Sequence, residues 1–300
     1  MAHSNPLSRR SLLKTASAAA ISPWTVSLWS AFEGNLKPGA ATLRLSASSI
    51  NFSRLPIEAA CRKIAELGFE AVDIWSAHAG CPHLDDVQQR LGGSGLRRLL
   101  DAVNLKLNSF SAYAGGSRKH AELLGECGGG VAVQGSAGPC DPADLVPKMR
   151  AFLESLQPEL ELAEKYDSYL AIENHGNALL DSCDSLKAFT DLNRHPRLGI
   201  ALAPYHVLAR GEDVSDAIRN CGGQLLYFYA WQKAEGLEQL PGYGPCDFTP
   251  WLAALRSITY TRYVNPFMHD EPEPDVMAEA LAKSRDYLRE RWEAVSSANP

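Results

Sequence analysis

The histidines of this chain cluster in a pattern. His3 lies near the N-terminus. Of the others, His78 and His83 follow the second segment that reads as a β-strand, His175 the fifth, His206 the sixth and His269 the eighth; only His120 and His195 fall elsewhere. The sharpest of these segments is Ile172-Glu173-Asn174-His175-Gly176-Asn177. A carboxylate that ends an apolar strand faces an inward, partly desolvated position, which suits metal ligation or proton transfer. Ala203-Pro204-Tyr205-His206, Tyr227-Phe228-Tyr229-Ala230-Trp231-Gln232 and Asn265-Pro266-Phe267-Met268-His269 add rings and amides. Aromatic groups around a polar opening suit a sugar, whose C–H face packs on π-systems while its hydroxyls take donors and acceptors. The expected catalytic groups are Glu173, His206 and His269. The expected substrate-binding groups are His78, His83, His175, Tyr229, Trp231, Gln232 and Asn265. The competing reading makes the histidines surface or capping groups and the aromatic residues packing.

Such residues need a scaffold that gathers strand ends. From residue 41 onward, short β-like runs alternate with amphipathic helical runs. The strands are expected at Leu43–Phe52, Phe69–Trp75, Leu105–Tyr113, Val131–Gln134, Tyr169–Ile172, Leu198–Leu202, Gln224–Tyr229 and Arg262–Phe267. Between them, Ile57, Ala60, Cys61, Ile64 and Leu67 recur at helical spacing up to Gly68; Leu96, Leu99, Leu100 and Val103 do the same. A short helix is expected around Arg118–Leu124, and a long helical stretch over Pro142–Tyr166, kinked or divided by Pro158. Further helices are expected near Ser185–Leu192, Ser215–Asn220, Phe248–Ile258 and Val276–Trp292. Strict alternation of eight strands with eight helices predicts an α/β fold, a single-domain (β/α)8 TIM barrel over residues 41–295. Chemistry in such a barrel gathers at the carboxyl ends of the strands. No GxGxxG follows the first strand, which argues against a dinucleotide fold.

The first 35 residues differ. Ser8-Arg9-Arg10-Ser11-Leu12-Leu13-Lys14 followed by an Ala/Ser-rich, weakly apolar run to Trp29 reads as a twin-arginine signal peptide, cleaved between residues 19 and 41. The expectation is therefore an exported protein, periplasmic or otherwise extracytoplasmic, whose partner on the way out is the twin-arginine machinery. The signal carries Arg9, Arg10 and Lys14 and no acid, so the remainder is more acidic than the −6 of the whole chain. That balance disfavours nucleic acid and suits a soluble protein with a small-molecule ligand. There is no run apolar enough for a membrane span. The seven cysteines contain no CxxC pair and read as small packed hydrophobes.

The run Glu58 to Trp75, Glu173-Asn174-His175-Gly176, Leu198-Gly199-Ile200-Ala201-Leu202-Ala203-Pro204-Tyr205-His206 and Leu240-Pro241-Gly242-Tyr243-Gly244-Pro245 together resemble the xylose isomerase-like barrel superfamily, in particular its sugar phosphate isomerase/epimerase branch, over residues 41 to about 290. The resemblance implies one divalent ion held by Glu, Asp, His and Glu from the last four strands. Only Glu173 is kept. The Asp position holds Ala203, the His position Tyr227 (or Tyr229, with a shift of two), and the final Glu position Asn265, while His206 keeps the strand-six histidine that lies behind the ligands. The expectation is either no metal or one ion in a variant site recruiting Glu173, His175 and His206, with His269 near; the usual site is lost.

The leading functional expectation is a sugar isomerase or epimerase, or an enzyme of related elimination, with Glu173 as base, His206 and His269 steadying or shuttling at the oxygen, and Gln232 and Asn265 on hydroxyls. The alternative is a non-catalytic, exported carbohydrate-binding barrel. A metal-dependent endonuclease on the same barrel would need a metal cluster and a basic groove that the sequence does not offer.

Overall fold

The computed structural model describes residues 42–297. The expected signal segment, residues 1–35, lies outside the described residues. Eight strands, β1 (Arg44–Ser48), β2 (Ala71–Trp75), β3 (Lys106–Ser111), β4 (Val131–Gly135), β5 (Tyr169–Glu173), β6 (Leu198–Leu202), β7 (Leu225–Ala230) and β8 (Tyr263–Pro266), pair in chain order, all parallel. β8 returns to β1 through Arg44↔Tyr263 and Leu45↔Val264, so the sheet closes into the expected barrel. Closure removes both sheet edges, and each strand is then covered on two sides.

The strands show why this sequence makes a barrel. Their outward residues, among them Leu45, Ala47, Val72, Ile74, Phe110, Leu170, Ile172, Ile200, Phe228 and Val264, join the large core shared with the helices. Their inward residues, Val131, Val133, Ala171, Ala201, Tyr227 and Tyr229, with Trp75, form a second cluster inside the barrel. Period-two alternation therefore sorts the side chains between two separate apolar interiors. Gly199 on β6 is required by closeness: a Cβ there would stand 2.2 Å from the Gln224 carbonyl oxygen.

The helices are α1 (Ile57–Glu66), α2 (His83–Asp86), α3 (Gly92–Ala102), α4 (Gly116–Glu126), α5 (Leu145–Ser155), α6 (Gln157–Lys165), α7 (Cys183–Leu192), α8 (Pro204–Ala209), α9 (Val214–Cys221), α10 (Thr249–Ser257) and α11 (Pro274–Ser297). α1 buries Ile57, Ala60, Cys61 and Ile64, and Gly68 turns the chain out of it at φ +75°. Two details differ from the expected alternation. α2 and a π turn at Val87–Leu91 precede α3, and α8 lies inside the loop after β6. The long stretch breaks at Leu156, ahead of Pro158, which sits in the first turn of α6, where a missing N–H costs no helical bond. The expected first strand ends early: Ser49–Phe52 forms a 3-10 turn, and the Ser49 hydroxyl accepts the Trp75 backbone N–H at 3.1 Å.

None of the seven cysteines is in a disulfide, and burial pushes the Cys61 and Cys81 thiols up to about 12, in keeping with a packing role. Among the described residues no helix is long and apolar enough to cross a membrane.

Candidate active site

Glu173 is the last residue of β5. Ile172 before it faces the helices, so the alternation turns Glu173 inward, where it is 8 % exposed. Burial raises its proton affinity to about 7. The Tyr113 hydroxyl, within hydrogen-bonding reach, and the imidazoles of His175 and His269 act the other way, while the Asp73 carboxyl reinforces the rise. A carboxyl poised near neutral pH can both take and return a proton.

The wall around it is aromatic. Trp75 stacks on Phe267 at 5.4 Å between ring centres, and Tyr205 on Trp231 at 4.4 Å. His269 packs its edge against Trp75, Trp231 and Phe267 at 5.8, 5.3 and 4.9 Å. His206 stands edge-on to Trp231 at 5.4 Å, with the His175 ring 4.1 Å away. His78 lies 5.6 Å from Tyr113 and 6.3 Å from Trp75. Ring contacts thus link His78, His269, His206 and His175 around the end of the barrel where Glu173 sits. His206 is buried, and its Nε2 has no hydrogen-bond partner among the described residues. Burial, with His175 and His269 nearby, depresses its proton affinity to about 3, so it stays neutral at ordinary pH.

Below the rings lies a polar layer. Asp73 on β2 is fully buried and accepts from Ser48 (2.8 Å), Ser109 (2.8 Å), Ser111 (3.0 Å to each oxygen) and the Trp75 indole N–H (2.7 Å). Burial pushes its carboxyl up, and the four donors oppose that. The Asn265 amide N–H donates to Ser48 at 2.7 Å and to the Tyr227 hydroxyl. Since Ser48 receives that N–H, its own hydrogen is free for Asp73, so donors point at the carboxyl throughout. Tyr229 joins this layer to the mouth, with its hydroxyl 3.0 Å from that of Tyr113.

Three expected substrate-binding residues sit elsewhere. His83 is buried, with Nε2 2.8 Å from the Leu55 carbonyl and Nδ1 3.3 Å from the Cys81 sulfur, so both ring nitrogens are engaged. Gln232 uses its amide to brace the loop after β7: Nε2 donates to the Leu240 carbonyl at 2.9 Å and Oε1 accepts from the Cys246 N–H at 2.8 Å. Gly244 permits that brace, since a Cβ there would meet Gln232 at 2.7 Å. Asn265 belongs to the buried polar layer, two residues deeper than Phe267. Trp231 is part of the wall, its indole N–H donating to Gln239 at 2.8 Å.

The donor set does not fit the divalent ion of the resemblance. Ala203 supplies no ligand atom, the Tyr227 hydroxyl is bonded to Asn265, the Tyr229 hydroxyl to Tyr113, and Glu173 is the one carboxylate of the four positions. A hard ion wants several anionic oxygens. In the variant set of Glu173, His175 and His206, the two imidazole rings lie 4.1 Å apart and His175 Nδ1 lies 2.9 Å from the Gly176 carbonyl, while among the described residues no group of three or more His, Cys, Asp or Glu is arranged to hold a metal.

The sequence profile of the xylose isomerase-like TIM barrel matches residues 61–290. The chain belongs to that family. Among curated proteins, none matches the sequence. In structure the chain is similar to a 3-keto-D-glucoside 4-epimerase from E. coli (TM-score 0.65, 16 % identity, 82 % of this chain and 100 % of that one). It is also similar to an L-ribulose 3-epimerase (TM-score 0.67, 15 % identity, 86 % and 97 %) and to a probable 3-DHS dehydratase from Bacillus anthracis (TM-score 0.64, 16 % identity, 81 % and 98 %).

Sequence reasoning missed Asp73, Tyr113 and Trp75 as parts of the site. A signal was present: Ser46, Ser48, Asp73, Ser109 and Ser111 are polar residues within strand segments, alternating with apolar Leu45, Ala47, Val72, Ile74 and Phe110.

Proposed function

We propose that this xylose isomerase-like barrel is an enzyme of the isomerase or epimerase type that moves a proton on the carbon next to a carbonyl of an uncharged sugar, and that it does so without a divalent ion at the family's position. The observation that carries the reading is Glu173, a buried carboxyl with proton affinity near neutral pH, set in a wall of Trp75, Trp231, Phe267 and Tyr205. The rings suit the C–H face of a sugar, and neutral His206, with its unpartnered Nε2, suits a hydrogen bond to a hydroxyl or carbonyl. An anionic substrate would meet Glu173 and Asp73 without an offsetting ion pair, so the uncharged sugar is favoured. The epimerases among the structural neighbours agree with the reaction type.

The second reading, a barrel that binds a carbohydrate without turning it over, is favoured by the replacement of three of the four ligand positions, by Ala203, Tyr227 or Tyr229, and Asn265. Incubating the protein in D2O with a panel of ketoses and keto-glycosides separates the two. The enzyme reading expects deuterium at the carbon next to the carbonyl, a rate that falls ~10²-fold or more in Glu173→Gln as loss of a general base gives, and no change on chelation. Saturable binding without exchange supports the second reading. We further propose that Ser8–Lys14 sends the protein out of the cytoplasm by the twin-arginine route; retention of an Arg9→Lys, Arg10→Lys double variant in the cytoplasm, with the native chain outside it, is the expected fractionation result.

A further inference from the structure

Proton abstraction next to a carbonyl leaves negative charge on the carbonyl oxygen, and stabilising that charge is commonly the largest part of catalysis. In this barrel the four family ligand positions supply no second anionic ligand, so the stabilising group must be sought among hydrogen-bond donors beside Glu173. Tyr113, just past the end of β3, lies within hydrogen-bonding reach of Glu173 and 3.0 Å from the Tyr229 hydroxyl. Glu173 and Tyr229 are buried, whereas Tyr113 is half-buried, and its ring packs on Trp75 at 5.0 Å and His78 at 5.6 Å. Tyr113 is therefore a half-buried part of the wall, beside Trp75 and His78, whose hydroxyl joins the buried Tyr229 to the mouth.

Counting donors gives the chain a direction. A phenol has one hydrogen to give, and a carboxylate can only accept. While Glu173 is ionised, the Tyr113 hydrogen is committed to it, and the Tyr113 oxygen can accept from Tyr229. Once Glu173 carries a proton, Glu173 can donate to Tyr113, and the Tyr113 hydrogen is free for another acceptor.

We infer that Tyr113 is a catalytic hydrogen-bond donor to the substrate's carbonyl oxygen, released for that role by the proton Glu173 takes from the adjacent carbon, with Tyr229 as its positioning residue. This rests on the reading of Glu173 as the base. The step balances without a further reactant. The C–H bond breaks and an O–H bond forms on Glu173; the C–H electron pair becomes the C=C bond of the enolate; the carbonyl π pair moves to oxygen, where the Tyr113 O–H meets it. Tyr113 keeps its proton, and return of a proton to carbon restores Glu173. The groups facing Glu173 from the packed elements are Tyr113 after β3, Tyr229 on β7 through its bond to Tyr113, Asp73 on β2, His175 after β5 and His269 after β8, with neutral His206 beside His175.

The test uses the same D2O exchange panel on the whole protein. Tyr113→Phe is expected to lose ~10²- to 10³-fold in kcat, as removal of one donor to an oxyanion gives, with KM unchanged. The acidic limb of its pH profile moves to higher pH, because Glu173 loses a hydrogen bond that favours its ionised form. Tyr229→Phe keeps the Tyr113 hydroxyl and removes its donor; it is expected to lose about 10-fold, the worth of one neutral hydrogen bond, and it carries the test if Tyr113→Phe does not fold. Wild-type kcat and an unmoved acidic limb in Tyr113→Phe, or a loss confined to KM, overturns the inference and leaves Glu173 as base intact. A native protein that exchanges no hydrogen with any member of the panel overturns both.

Discussion

Replacing Glu173 by Gln should make the protein more stable, and only at neutral to alkaline pH. In the unfolded chain the Glu173 carboxyl has its ordinary value of 4.5; in the folded barrel, burial raises this to about 7. Between those values the folded state holds a proton that the unfolded state has released, so stability falls as pH rises through that window and levels off above it. A shift of this size corresponds to on the order of 3 kcal/mol. Gln has nearly the same shape, can still hydrogen-bond to Tyr113, and cannot ionise. The stability of Glu173→Gln minus that of the native protein should therefore be small near pH 5 and grow by on the order of 2–3 kcal/mol by pH 8. Urea unfolding of the two proteins at several pH values measures it directly, and melting temperatures should diverge by roughly 5 °C at the alkaline end for a domain of this size. A difference flat across the range to within about 0.5 kcal/mol, the scatter of ordinary surface changes, would refute the claim that the site holds a carboxyl against its preferred charge.

Trp75→Phe keeps the stacked ring over Phe267 but removes the N–H that Asp73 accepts at 2.7 Å; it should cost about 1.5–3 kcal/mol in urea unfolding, the worth of a hydrogen bond to a charged group. Gly199→Ala would press a methyl into the Gln224 carbonyl 2.2 Å away and into Leu226, so a loss of at least about 1–3 kcal/mol is expected from overpacking, seen as a lower urea midpoint. Ala203→Asp restores one ligand type of the family, but places a carboxylate at a fully buried position inside the tyrosine-filled interior. Elemental analysis should find no stoichiometric divalent metal in that variant, and its urea midpoint should fall.

The barrel was legible because its evidence is repetitive. The 2-residue period of each strand and the 3.6-residue period of each helix recur around the barrel, and errors of a residue or two at the ends do not alter the topology. Glu173 and the ring of His78, His175, His206 and His269 were legible for a related reason: strand ends in this fold must converge. His83 and Gln232 are held away from the mouth where they were expected, because the sequence shows that a polar residue follows a strand, not which way the loop turns it. Leu55 and Cys81 capture His83, and the Leu240 and Cys246 backbone captures Gln232, all partners supplied by the fold of the loops. Asp73 was hidden by a different cause. A lone acid inside an apolar run reads as unremarkable until closure of the barrel sets Ser48 and Ser109 opposite it in register.

The replacements at the family's ligand positions make sense together rather than one by one. Beside Glu173 the inward positions of β5 and β6 and the residue after β6 carry small groups, namely Ala171, Ala201 and Ala203. A barrel interior must be filled, and here β7 fills it with two tyrosines, Tyr227 and Tyr229, whose rings lie 4.5 Å apart and are fully buried. Large side chains from one strand thus take the space that small ones on its neighbours leave. Their hydroxyls then need partners, because a buried unpaired hydroxyl is costly. Tyr227 finds Asn265, which reaches on to Ser48 and so to Asp73; Tyr229 finds Tyr113, which reaches Glu173. An alanine where an aspartate is expected, a tyrosine in place of a histidine and an asparagine in place of a glutamate are therefore parts of one packed, hydrogen-bonded interior. Reverting any single one of them would leave either a void, a clash or an unpaired polar group, and so would not by itself rebuild a cation site.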